Sequence, residues 1–116
     1  MSDPRKAAFR PTATWYEDAD KYWKSVSSNV DGMLGGLEIV HRPDIAGSRE
    51  FLTKLRSDPS LALGSKYACD CGAGIGRVTK HFLLPMFDRV DLVEQNSKFL
   101  HEAETSYLKH EKESGQ

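Results

Sequence analysis

The chain has 116 residues, of which 39% are hydrophobic and 28% are charged. This length corresponds to a single domain. A formal net charge of -1 excludes a polyanion binder that works by bulk positive charge. No apolar run approaches the roughly 20 residues of a membrane-spanning helix, and the polar start of the chain lacks the apolar stretch of a secretory signal.

The first half of the chain predicts helices separated by a long loop. Residues 1–14 are polar and are expected to form a flexible tail. Aromatic and apolar residues then recur at three- and four-residue steps over 15–26, which predicts an aromatic-rich amphipathic helix. Residues 27–47 contain four glycines and a proline and are expected to form a loop. Ser48 is expected to cap a second helix, which ends before the Asp-Pro pair at 58–59.

The second half predicts alternating strands and helices. We expect, in order, a strand over 67–71, a helix from about Gly76, a strand over 89–94, a helix from Ser97 or Asn96 to Leu108, and a charged tail over 109–116. Pro85 should end or kink the first of these helices, because proline lacks an amide donor and clashes with the preceding turn. Strands joined by a helix pair in parallel through a right-handed crossover. The order therefore predicts half of a doubly wound α/β sheet.

The motif Asp-Cys-Gly-Ala-Gly-Ile-Gly-Arg at 70–77 joins the first predicted strand to its helix. Gly72 and Gly74 let the chain turn sharply and let a ligand approach the backbone. The free amides at the start of the helix face such a ligand. The spacing Gly-x-Gly-x-Gly differs from the Gly-x-Gly-x-x-Gly of dinucleotide binders. The alternative interpretation is a tight strand-to-helix turn without a ligand.

Acidic residues end both predicted strands, Asp70 the first and Glu94 the second. An acid at the tip of the second strand can accept both ribose hydroxyls of a nucleoside. Carboxylates favour S-adenosylmethionine over a nicotinamide cofactor, because a sulfonium cofactor carries no pyrophosphate. Arg77 is a candidate for holding the cofactor carboxylate. The alternatives are a solvated acid at 94 and a solvated first-turn arginine at 77.

The remaining residue types predict little further chemistry. Cys69 and Cys71 are expected to point to opposite faces of the strand, unbridged, as small buried packing residues. Free thiols favour the cytosol or the nucleus. The scattered histidines are interpreted as structural or surface residues, and no metal site is expected. Most aromatic residues of the first helix are interpreted as core, and one tryptophan beside a cofactor cleft would offer its π-face to a cation.

Several stretches resemble the α-N-terminal protein methyltransferases, which methylate the α-amino group of proteins that begin X-Pro-Lys. They are Tyr-Trp-Lys at 22–24, Val-Asp-Gly-Met-Leu-Gly-Gly at 30–36, Ser-Arg-Glu-Phe-Leu at 48–52, the motif at 70–77 with Val-Thr-Lys after it, and Val-Asp-Leu-Val-Glu at 90–94. The resemblance runs from about Tyr16 to Leu108. It implies a Rossmann-like class I S-adenosylmethionine-dependent methyltransferase fold.

The resemblance also implies roles for particular residues. Cofactor binding is expected at Gly72, Gly74, Arg77, Glu94, Gln95 and Asn96. Trp23 is expected beside the transferred methyl and the substrate amine, and Met33 and Leu34 are expected to cover the cofactor and border the substrate channel. The reaction would be an in-line displacement by an unprotonated amine.

The resemblance further implies a longer enzyme with a larger sheet, so we expect this chain to be its N-terminal half, truncated after the first β-α-β-α. Residues 15–66 would cover substrate and cofactor, and residues 67–108 would be the first half of the methyltransferase domain. No catalytic residue is expected in this chain. The first strand would have an open edge that favours self-association.

The alternative function is a non-enzymatic interaction module. We expect protein substrates, no nucleic acid or membrane partner, and a location in the cytoplasm, the nucleus or both.

Overall fold

The computed structural model describes residues 12–115. Residues 1–11, which make up most of the predicted tail, lie outside the described residues. The helices are α1 (Ala13–Ser25), α2 (Val30–Met33), α3 (His41–Arg56), α4 (Leu84–Met86), α5 (Ser97–Glu102) and α6 (Lys109–Glu113). The strands are β1 (Tyr67–Cys71) and β2 (Arg89–Val93). Short 3₁₀ turns cover Glu38–Val40 and Pro59–Leu61, and π-helical turns cover Thr79–Leu83 and Ala103–Tyr107.

The two strands pair in parallel, as predicted. Tyr67 lies opposite Arg89, and Cys71 lies opposite Val93. β2 ends at Val93, so Glu94 is the first residue beyond the strand. Within the part of the chain that the structure describes, β1 pairs with β2 alone, and its other edge is open.

α1 confirms the predicted aromatic helix but begins earlier than expected. The Thr12 hydroxyl accepts a hydrogen bond from the Trp15 amide at 3.2 Å and caps the helix. Residues 13 and 14 therefore belong to α1 and not to a tail. The core interpretation of its aromatic residues is wrong, because α1 has no buried residue and Tyr16 and Tyr22 are more than half exposed.

The loop predicted over 27–47 is wrong for most of its length. Asn29 caps α2 by accepting a hydrogen bond from the Gly32 amide at 2.7 Å. α3 begins at His41, well before Ser48. Pro43 lies in the first turn of α3, where its missing amide has no helical partner to lose. Gly47 lies inside the helix at a cost of only about 1 kcal/mol relative to alanine.

Pro85 distorts the helix that connects the two strands. The π-helical turn over Thr79–Leu83 precedes it, and α4 ends one residue after it. Because Pro85 has no amide, it cannot bond the carbonyl of His81 one turn earlier. Arg49 of α3 donates to that carbonyl at 3.4 Å. The end of this helix one residue after Pro85 therefore matches the sequence-based prediction.

The C-terminal elements differ in part from the prediction. Asn96 is the cap of α5, and Ser97 is its first residue. Residues 109–113 form α6 and not a charged tail. The buried hydrophobic residues are Ile45, Ile75, Val90, Phe99, Ala103 and Leu108, so most of the core lies where α5 and the following turn pack on the sheet and the glycine motif.

Only one face of the sheet is covered. Val90 is buried on that face, whereas Tyr67 and Val93 on the other face are more than half exposed. Cys69 and Cys71 share this bare face and are both exposed. The expectations of opposite faces and of burial are therefore both wrong, because residues two apart on a strand point the same way. Within residues 12–115, no helix has the length and apolar character to cross a bilayer.

Candidate functional site

A cavity of about 530 Å³ opens where β1 and β2 end. This volume lies in the range of small-molecule sites, and the carboxyl ends of parallel strands are where such sites form. The predicted residues that line it are Trp23, Met33, Gly72, Gly74, Arg77, Glu94, Gln95 and Asn96. Leu34 does not line the cavity. A second cavity of about 480 Å³ lies across β2, between Arg89, Leu92 and Leu108, and contains none of the predicted site residues.

The glycine motif forms the floor of the cavity. Gly72 and Gly74 adopt left-handed backbone conformations, with φ of 69° and 61°. The Gly72 amide donates to the Val93 carbonyl at 2.8 Å, which joins the floor to β2. A Cβ on Gly74 would collide with the Met33 sulfur. Met33 therefore lies directly over the glycine turn.

Glu94 turns back onto the glycine motif. Its Oε1 accepts a hydrogen bond from the Gly74 amide at 3.0 Å, and its Oε2 accepts one from the Asn96 amide at 3.3 Å. These two bonds fix the carboxylate at the cavity wall. Each carboxylate oxygen has a second acceptor site, so Glu94 can also accept from two ligand hydroxyls.

Asn96 has a buried donor without a partner. Its side-chain oxygen accepts from the amides of Lys98 at 3.0 Å and Phe99 at 3.3 Å, which fixes the orientation of the amide group. The side-chain Nδ2 is buried and has no hydrogen-bond partner. A buried unpaired donor costs about 1–3 kcal/mol. Asn96 also lines the cavity, and a small rotation of its side chain would bring this group to an acceptor atom on a ligand.

Two further carboxylates line the cavity. The Thr79 hydroxyl, which is almost fully buried, donates to Asp70 Oδ2 at 2.7 Å and positions that carboxylate. Asp20 reaches the cavity from α1 and pairs with Lys24 at 2.7 Å on the exposed helix surface. Together with Glu94, three acidic side chains converge on one space.

Arg77 is paired with a carboxylate from α3. Its Nη2 lies 2.8 Å from Asp44 Oδ2, and its side chain is only 11% exposed, so it is not a solvated arginine. Its Nη1 lies 3.1 Å from His41 Nδ1. A guanidinium can only donate, so the histidine nitrogen is the acceptor in this contact. Asp44 offsets the charge of Arg77, which leaves the cavity with a net excess of carboxylates.

A second histidine, His81, packs against the His41 ring on the side of Arg77's supporting contacts. The His41 and His81 rings are 4.6 Å apart, and His81 Nε2 lies 3.0 Å from the Tyr107 hydroxyl. Partial burial lowers the pKa of His81, and the nearby positive charges of Lys80 and Arg77 lower it further. Burial raises the pKa of Tyr107. His41 and His81 thus form part of the structure that supports Arg77, in line with their structural interpretation.

Trp23 closes one side of the cavity. Its ring meets Phe99 edge to face at 6.3 Å between centroids. Lys98 of α5 donates to the carbonyls of Val26 at 2.6 Å and Lys24 at 3.2 Å, at the end of α1. This cation bonds the carbonyls that a helix end leaves free, and it complements the negative end of the helix dipole. Lys98 therefore holds α1, and with it Trp23, against α5.

Sequence reasoning missed the roles of Asp20, Asp44 and Thr79. Asp20 had a usable signal, since it precedes Trp23 by three residues and so shares its helix face. Thr79 had a weaker signal, as a small polar residue soon after the glycine motif. The contact of Asp44 with Arg77 depends on how α3 packs against the motif, and no local pattern predicts it.

A parallel sheet, a glycine turn after the first strand and an acid after the second define an α/β protein with a nucleoside-type cofactor site. The sequence profile of the AdoMet dependent proline di-methyltransferase family matches residues 11–116, and the chain belongs to this family.

Individual relatives agree with this assignment. The chain is 50% identical over 97 residues to N-terminal Xaa-Pro-Lys N-methyltransferase 1 of Xenopus tropicalis. This match covers 83% of this chain and 43% of the relative. It is 49% identical over 98 residues to alpha N-terminal protein methyltransferase 1 of Dictyostelium discoideum. That match covers 82% of this chain and 36% of the relative. The chain thus spans less than half the length of these relatives.

A solved structure confirms the fold. It is a SAM-dependent methyltransferase from Leishmania major, with a TM-score of 0.71 and 42% sequence identity. The match covers 88% of this chain and 37% of that chain. The small parallel sheet and its helices are therefore the corresponding part of a Rossmann-like methyltransferase fold.

Proposed function

We propose that residues 12–115 form the S-adenosylmethionine-binding part of a protein α-N-terminal methyltransferase. Its substrates would be proteins that begin X-Pro-Lys, the class named in the Xenopus relative. The observation that carries the proposal is the convergence of Asp20, Asp70 and Glu94 on one cavity that also holds the unpaired Asn96 amide. Membership in the family and its cofactor name support it.

The charge of the cavity favours a cationic cofactor. Opposite charges a few ångströms apart attract by several kcal/mol at the dielectric of a partly buried site. A sulfonium group and an ammonium group are therefore favoured beside these carboxylates, whereas the pyrophosphate of a dinucleotide would be repelled. This argues for the sulfonium cofactor on physical grounds, independently of the glycine spacing.

The residues of the cavity fit the remaining parts of the cofactor. Glu94 would accept hydrogen bonds from the two ribose hydroxyls. Asn96 Nδ2 would donate to an acceptor atom of the nucleoside, which satisfies the buried donor. The guanidinium of Arg77 has five N–H donors, so it can hold a carboxylate in addition to its contacts with Asp44 and His41.

The cofactor supplies the methyl group, and the chain supplies position and environment. Trp23 would present its π-face to the cationic sulfur or to the approaching amine. Met33, which lies over Gly74, would exclude water from the cavity. The substrate amine reacts only when unprotonated, and an α-amino group with a pKa near 7.7–8.0 is partly so at neutral pH. We assign no residue of 12–115 as its general base.

Calorimetric titration of S-adenosylmethionine into the chain tests the cofactor part. Glu94→Gln keeps the side-chain size and removes the charge, and we expect it to weaken binding about tenfold or more, a loss of roughly 1.4 kcal/mol. Glu104→Gln, on an exposed helical turn paired with Lys112, is the matched control and should bind like the wild type. Equal affinity of the two variants would contradict the role of Glu94.

Asn96→Ser tests the unpaired amide. Serine caps a helix about as well as asparagine and adds no charge, so α5 should form normally while the amide donor is lost. We expect weaker cofactor binding with an unchanged melting temperature. Unchanged binding would contradict the contact with Nδ2.

Transfer of labelled methyl from the cofactor to a peptide that begins X-Pro-Lys tests the substrate part. We expect Trp23→Ala to reduce transfer more than it reduces cofactor affinity. Cofactor binding without transfer by the wild-type chain would confine the function of these residues to the cofactor site.

A second candidate function is an interaction module that pairs through β1. The unpaired edge of β1 and the exposed Tyr67 beside it favour this alternative. A second copy of the chain would add its own strand there. Sedimentation equilibrium should then show a dimer. Even-numbered residues of β1 bond toward β2, so replacing Cys69, whose amide faces the open edge, by proline should give a monomer. A wild-type monomer at all concentrations would exclude it.

A further inference from the structure

The two cysteines of the chain lie close together outside the cofactor cavity. Cys69 lies in the middle of β1, and Cys71 is its last residue. Their sulfur atoms are 3.7 Å apart. Both side chains are exposed on the bare face of the sheet. Two soft ligand atoms are therefore held side by side and open to solvent, and no part of the proposed methyl transfer uses them.

Strand geometry opposes a disulfide between these residues. Residues two apart on a strand are separated by about 6.6 Å, and their side chains leave the strand nearly in parallel. A disulfide needs the two Cβ atoms about 3.5–4.5 Å apart. Closing the bond would therefore require β1 to bend, and β1 is held to β2 along its whole length by parallel pairing.

Metal chelation needs no such movement. Two thiolates on a tetrahedral zinc ion, with bonds of about 2.3 Å, are separated by about 3.8 Å. The observed spacing of 3.7 Å matches this value without a change of backbone. Thiolates are also the ligands that soft metal ions prefer.

The charges around the pair favour a cation. Asp91 lies directly opposite Cys69 in the sheet and on the same exposed face. The carboxylate of Asp91 attracts a positive ion, which displaces the thiol protons when it binds.

We propose that Cys69 and Cys71 form a two-thiolate site for a thiophilic divalent cation such as Zn²⁺ or Cd²⁺. Binding forms two sulfur–metal bonds and releases two protons to solvent, with no change of oxidation state. Within residues 12–115 no group of three or more His, Cys, Asp and Glu side chains is arranged to hold a metal. The other positions on the ion are therefore left to water, and the affinity should be lower than that of a four-ligand structural site.

Titration of the reduced chain with Cd²⁺ tests this site, because thiolate-to-cadmium charge-transfer absorption appears only when sulfur binds the ion. We expect the band to saturate at one ion per chain and Zn²⁺ to abolish it by competition. Cys69→Ser should lower the affinity by about tenfold or more, since one thiolate cannot chelate.

A matched control separates a chelate from two independent thiols. The double variant Cys69→Ser, Ala68→Cys keeps two cysteines but places them on opposite faces of β1. We expect it to bind no better than Cys69→Ser, with circular dichroism showing that both variants keep the fold. Cadmium binding by the double variant equal to that of the wild type would overturn the proposal. A wild-type chain that shows no charge-transfer band would overturn it as well.

Discussion

The floor of the cofactor cavity and the helices that cover it are built in different ways. The floor here means the glycine motif together with the residues packed beside it at the start of the following helix and of α5, and it contains the buried residues Ile75, Thr79, Asn96 and Phe99. The cover, α1 and α2, has no buried residue. It is held to the floor by the Lys98 hydrogen bonds, the contact of Trp23 with Phe99, and Met33 over Gly74.

This difference has a consequence for ligand entry. Local opening requires the least free energy where few apolar contacts are buried. The floor therefore keeps Glu94 and Asn96 in place before a ligand arrives, whereas the cover can open without unfolding the floor. A preformed site under a weakly held cover suits a cofactor that must exchange after each reaction.

The largest effect is expected from removing the ring that joins floor and cover. Phe99→Ala deletes a side chain that is 2% exposed and should destabilise the fold by about 3–5 kcal/mol. Phe51→Ala, at a position 65% exposed, is the control and should change stability by less than about 0.5 kcal/mol. Urea unfolding measures both, and similar midpoints would show that Phe99 is not part of a packed floor.

Two glycine variants should separate backbone strain from contact with the cover. Gly72→Ala places a Cβ in open space at a left-handed φ, which costs about 1–2 kcal/mol. Gly74→Ala carries the same strain and must also displace Met33. We therefore expect Gly74→Ala to lower stability and cofactor affinity more than Gly72→Ala does. Equal effects would mean that Met33 does not rest on the floor.

Loss of the Lys98 bonds should loosen the cover alone. Lys98→Met removes the donor to Val26 and Lys24 and should lower the protection of α1 amides against hydrogen exchange by about 1 kcal/mol. Amides of β2 should be unaffected. Lys54→Met, which breaks only an exposed pair with Glu50, is the matched control. A uniform loss of protection across the chain would contradict a separate cover.

The smallest effect is a dependence of stability on pH. The pKa of His81 is lowered from 6.5 in the folded chain, so the unfolded chain binds more protons as the pH falls. The stability that His81 contributes is present above pH 6.5 and is lost below it, by less than about 1 kcal/mol because the ring is partly solvated. The melting temperature should fall through this range, and His81→Gln should flatten the profile. The same profile in His81→Gln and in the exposed-site control His101→Gln would contradict this assignment.

The floor could be predicted from sequence, and most of the cover could not. The glycine turn, the two strands and Glu94 follow from a short motif whose backbone needs are local. The start of α3 is not predicted, because Pro43 and Gly47 favour a loop, although a first-turn proline and one interior glycine are compatible with a helix. The pairing of Arg77 with Asp44 depends on tertiary packing. The error for Cys69 and Cys71 concerned strand periodicity and was avoidable.

The most direct test of the central claim compares two cofactors on the same chain. Calorimetric titration should show saturable, one-to-one binding of S-adenosylmethionine and no binding of an oxidised nicotinamide dinucleotide, because the carboxylates of the cavity attract a sulfonium and repel a pyrophosphate. A folded chain that binds the dinucleotide at least as tightly as S-adenosylmethionine, or that binds neither, would contradict the account.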